Sequence, residues 1–78
     1  MIVNAEQIKA ARALLRWSAR ELAERARVHL STVQRMERKA GALQGSVVTR
    51  RKVQEVLESH GIEFLGDDGV RRHAGAEH

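Results

Sequence analysis

The sequence predicts an all-α domain of four to five short helices that closes on a short C-terminal β-strand or hairpin. Three observations lead there. The first sixty residues are rich in alanine, leucine, arginine and glutamate, and the chain has no proline to interrupt a helix. Apolar residues recur at helical spacing behind recognisable caps. After Gly61 the apolar period changes to two.

Asn4 followed by Gln7 has the form of a capping pair, so a first helix is expected from Ala5. Ile8, Ala11, Leu14 and Leu15 share its apolar face. It should stop near Arg16 or Trp17, because Ser18-Ala19-Arg20-Glu21 is a capping box for a second helix. Leu22, Ala23 and Ala26 form the second stripe, and the small Ala23 allows close helix crossing. In the next segment, from Arg27 to Glu37, Val28, Val33 and Met36 point inward, which leaves Leu30, Ser31, Gln34, Arg35 and Arg38 facing outward. A loop runs from Lys39 to Ser46. A fourth helix is expected with Ser46 or Thr49 as its cap and Val53, Val56 and Leu57 as its stripe. Gly61 suits a left-handed helix end. Ile62 to Leu65 and Val70 to Arg72 then read as two strands around Gly66-Asp67-Asp68-Gly69, with residues from Arg72 to His78 frayed.

Seventy-eight residues suffice for one domain with a thin core, which disfavours a deep catalytic cavity. The chain has no cysteine, so no disulfide or thiolate metal site braces it. No apolar run approaches the roughly 20 residues of a membrane span, and the N-terminus lacks the pattern of a signal peptide. The expectation is a soluble cytoplasmic protein. His29, His60, His73 and His78 lack metal-ligand spacing, and no cofactor is expected. Ser18 and Ser31 have no partner base, and the glycine-containing stretches fit no phosphate loop. An enzyme is not expected. Trp17 is expected at the core or its rim, since a lone aromatic builds no stacking platform for RNA.

Charge is unevenly placed. Between residues 9 and 52 twelve Lys/Arg stand against three Glu, whereas from residue 53 onward two Arg stand against six Asp/Glu. Nine of those twelve cations are arginines, whose planar fork suits phosphates and guanine edges. A basic body of this kind points to nucleic acid as partner.

The segment from Ser18 to Arg38, SARELAERARVHLSTVQRMER, resembles the helix-turn-helix of the Cro/phage-repressor (XRE) family. The matching residues are the Leu22-Ala23 pair, Val28 in the turn, Thr32-Val33 in the next helix, and Glu37 at its end. The likeness extends over about residues 5–60. It implies a lambda-repressor-like fold, with a helix-turn-helix domain over 1–61 and a short β extension over 62–78. It also implies that Arg12 pairs with Glu37.

By the same resemblance, residues 30–38 form a recognition helix in the major groove of double-stranded DNA. His29, Leu30, Ser31, Gln34 and Arg35 then lie at base-reading positions, with Gln34 suited to adenine, Arg35 to guanine and Leu30 to a thymine methyl. Arg16, Ser18, Ala19, Arg20, Thr32, Arg38, Lys39 and Arg50 are the expected phosphate contacts. The implied function is that of a small transcriptional regulator, a homodimer on a two-fold operator, with Ile62, Phe64 and Leu65 as candidate dimer contacts. The alternative is an interaction module of the same fold, an antitoxin or anti-activator with a regulatory protein partner.

Overall fold

Asn4 begins the first helix as expected: its side-chain oxygen accepts from the Gln7 N–H at 3.0 Å. The computed structural model describes residues 4–38, 47–66 and 69–73. These form α1 (Ala5–Leu15), α2 (Ala19–Ala26), α3 (Leu30–Arg38), α4 (Val47–Glu58), β1 (Ile62–Phe64) and β2 (Val70–Arg72). Ser18 caps α2 by accepting from the Glu21 N–H at 3.0 Å. The reciprocal half of that capping box is absent. Glu21 turns instead to Arg25, one turn along, at 2.8 Å.

α1 and α2 end in the same way. The residue after each is an arginine in the left-handed conformation: Arg16 at φ 61° and Arg27 at φ 61°. In both, the following N–H reaches back across the last turn, Trp17 to the Arg12 carbonyl at 2.9 Å and Val28 to the Ala23 carbonyl at 3.0 Å. This is the Schellman arrangement, and a non-glycine residue costs on the order of 1 kcal/mol at its left-handed position. Gly61, at φ 91°, occupies a left-handed position after α4 with no such penalty.

Ile8 and Ala11 of α1, Leu22, Ala23 and Ala26 of α2, and Val33 and Met36 of α3 are buried together with Val53 and Leu57 of α4. α2 lies between α3 and α4, packed against both, while α3 and α4 barely touch. Leu14 departs from the expected stripe and is 41% exposed. The hairpin meets that end of α1 with a polar group, the Arg72 Nη1 donating to the Leu14 carbonyl at 3.1 Å.

β1 and β2 pair antiparallel, Ile62 opposite Arg72 and Phe64 opposite Val70. Period two then puts Ile62, Phe64 and Val70 on the face toward the helices, and Glu63 and Arg71 outward. An isolated hairpin is marginal in water; this one closes the core, and Gln7 ties it down. The Gln7 amide is fully buried in α1 and donates to the Leu65 carbonyl at 2.9 Å and the Gly69 carbonyl at 3.0 Å.

Three sequence expectations change here. Thr49 is the third residue of α4, so it is not the cap; Ser46, the other candidate, lies outside the described residues, as does the loop from Lys39. Arg72 is not frayed but belongs to β2. Ile62 and Phe64, offered as contacts to a second chain, are 3% and 8% exposed in this chain's own core, and Leu65 alone of the three is on the surface.

Candidate nucleic-acid interface

The site is built on one salt bridge. Arg12 crosses from α1 to the end of α3, its Nε donating to Glu37 at 2.7 Å and its Nη2 at 2.8 Å. Its third donor, Nη1, reaches the Trp17 carbonyl at 3.0 Å. One planar guanidinium therefore fixes α1, the α1–α2 link and α3 together, which a lysine point charge cannot do. The pair is largely enclosed, with side chains 22% and 10% exposed. The hydrogen bonds that Arg12 donates to Glu37 raise its pKa, with burial pulling the other way. Glu37 is thereby turned inward.

With Glu37 occupied, the exposed surface of α3 has no acidic group. Ser31, Gln34, Arg35 and Arg38 face solvent, and His29 is exposed just before the helix. The His29 carbonyl accepts from Thr32 at 2.9 Å and Val33 at 3.3 Å, so it closes the first turn through its backbone. Leu30 and Thr32 are half-buried, and Leu30 leans against the core. Val33 and Met36, spaced three apart, hold the opposite side down.

α2 packs against α3, and Arg12 ties the Trp17 carbonyl, just before the α2 cap, to Glu37 at the end of α3. Ser18 and Arg20 are exposed and Ala19 is half-buried. Because Ser18 occupies the Glu21 N–H, the backbone N–H groups of Ala19 and Arg20 are left at the positive end of the helix. Arg16 is exposed immediately before them. Arg16, Arg20, Arg35 and Arg38 have no ion pair among the described residues. The surface thus carries unneutralised arginines, Arg16 and Arg20 at the start of α2 and Arg35 and Arg38 in the last turn of α3, and suits a polyanion with hydrogen-bonding edges.

The structure brings Leu30, Ser31, Thr32, Gln34, Arg35 and Arg38 onto one helix with His29 immediately before it, and Ala19 and Arg20 onto its neighbour, which Ser18 caps. Arg50 is half-buried on α4, which packs against α2 and β1, and its buried Nε has no hydrogen-bond partner among the described residues. Lys39 lies outside the described residues. Sequence reasoning missed the left-handed Arg16. It also missed the Trp17 cluster, in which Arg25 stacks 4.5 Å from the ring centre and His60 meets its edge. The single tryptophan between basic residues was the available signal for that cluster.

The helix-turn-helix family model, of the Cro/phage-repressor (XRE) type, matches residues 8–50, more than half of the chain. The chain belongs to that family. No curated protein and no solved structure matches it. The matched span begins in α1, contains the whole α2–α3 unit, and ends in the first turn of α4. This XRE family is a DNA-binding regulatory one and not enzymatic. Among the described residues, no helix is long and apolar enough to cross a membrane.

Proposed function

We propose that this XRE protein is a sequence-specific transcriptional regulator that sets α3 into the major groove of double-stranded DNA. The observation that carries the reading is the inward turn of Glu37, which leaves Ser31, Gln34, Arg35 and Arg38 as an acid-free face on a helix anchored at both ends. Gln34 and Arg35 carry the bidentate groups that discriminate adenine and guanine, and His29, Leu30 and Ser31 complete the reading set. The first turn of α2, from Ser18 to Arg20, holds a phosphate with its free N–H groups, aided by Arg16 and Thr32. Arg38, Lys39 and Arg50 extend the phosphate contacts.

One small domain offers few such contacts, and a homodimer on a two-fold operator doubles them. Of the three hairpin residues first offered as a dimer contact, Leu65 is the exposed one and is retained as the candidate. The test is a salt-titrated binding assay on random duplex and on a pool enriched by selection. Affinity should fall by orders of magnitude between about 50 and 200 mM salt, and the selected sequences should be two-fold symmetric. Weak binding without selection at moderate salt would refute the reading.

A further inference from the structure

A groove of about 480 Å³ runs between the end of α2 and α4. Its floor is apolar, made by Ala26 and Val56, and its rim carries three cations, Arg25, Arg27 and Lys52, against the one carboxylate of Glu55. Arg25 is held in place by Glu21 and by stacking on Trp17. Arg27 and Lys52 are exposed and have no ion pair among the described residues, although Glu55 stands one turn from Lys52 on the same helix. Arg27 also keeps a left-handed backbone at a position that glycine would fill with less strain.

We infer that this groove docks an acidic peptide segment of a protein partner, with carboxylates on Arg27 and Lys52 and an apolar side chain on Ala26 and Val56. Two features favour a peptide over a second nucleic-acid contact. A phosphodiester has no use for the apolar floor, whereas a segment that alternates acidic and apolar residues matches floor and rim together. The groove also lies at the C-terminal end of α2, where that helix meets α4. The proposed DNA-facing end begins at Ser18, about 12 Å away along the axis at 1.5 Å per residue. The docking itself goes beyond the DNA reading and does not depend on it.

The experiment uses the full chain and a dye-labelled decapeptide of alternating glutamate and leucine, followed by anisotropy and by Trp17 emission. The peptide should bind, alter the emission through Arg25, and weaken as salt rises. Arg27→Gly with Lys52→Gln should weaken it at least tenfold while duplex affinity stays within about twofold. This double variant should fold, because glycine relaxes the left-handed turn; a melting curve checks it. Lys9→Gln with Arg71→Gln removes the same charge elsewhere and should change peptide affinity by less than twofold. The inference is overturned if the peptide does not bind, if both double variants weaken it equally, or if duplex affinity falls in parallel. A wild-type chain that takes the peptide but no duplex would refute the DNA reading and leave this one standing.

Discussion

Arg12 and Glu37 are 25 residues apart and meet through two parallel hydrogen bonds, at 2.7 and 2.8 Å, inside a largely enclosed contact. The pair locks the recognition helix to α1 and removes the one acidic side chain of α3 from its outer surface. Stability and the charge of the proposed interface are thus set by the same contact.

Breaking the pair should therefore be costly. Arg12→Met or Glu37→Gln alone leaves an enclosed, partly unpaired polar group and should destabilise by about 2–4 kcal/mol in chemical denaturation. The double replacement Arg12→Met with Glu37→Met should cost less than the sum of the two Met singles by about 1–3 kcal/mol. Strict additivity would show that the two charges act independently.

The left-handed arginines give a prediction of opposite sign. Arg16→Gly and Arg27→Gly should each raise the unfolding free energy by a few tenths to about 1 kcal/mol, since glycine adopts that backbone without the side-chain clash. Arg16→Gly should at the same time weaken DNA binding at all sequences alike, with a salt slope lower by about one.

Gln7 should govern the hairpin. Gln7→Ala removes the side-chain donor from the Leu65 and Gly69 carbonyls at the buried contact and leaves Gly69 only the Leu65 N–H. A loss of about 1–3 kcal/mol is expected. Amide exchange should show faster opening of β1 and β2 than of α2 and α3. Uniform acceleration across all elements would contradict a local role.

Acid should loosen the same hairpin. Hydrogen bonds from Arg71, and next from His73, lower the Glu63 pKa below its ordinary value of 4.5. A carboxylate with a depressed folded-state pKa contributes stability above its unfolded value, and that contribution disappears as pH falls through the folded one. Wild type should therefore lose its advantage over Glu63→Gln only in acid, below about pH 4.5. The effect is small because the group is exposed, and an advantage already lost at pH 6 would contradict the assignment.

The parts of the molecule legible in its sequence are those governed by local rules. Asn4 and Ser18 mark their helix starts because a cap acts within three residues, and the α3 register follows from Val33 and Met36. The Arg12–Glu37 pair came only from the family resemblance; spacing alone does not join two charges 25 residues apart. Gln7 read as half of a capping pair, yet its amide serves carbonyls 58 and 62 residues away. Ile62 and Phe64 show the same limit in reverse. Period two identifies their strand, but which surface covers it is a tertiary matter, and here the chain's own helices do.

The account rests most heavily on a division of labour between the exposed face of α3 and the first turn of α2. The measurement that tests it is the affinity of wild type, Arg35→Ala and Arg20→Ala for a selected duplex and for random duplex, at one fixed salt concentration. Arg35→Ala should lose about 1–3 kcal/mol on the selected duplex and little on the random one, collapsing their ratio. Arg20→Ala should weaken both by similar factors and keep the ratio. If the two variants changed the ratio equally, or neither changed it, α3 would not be the element that reads sequence.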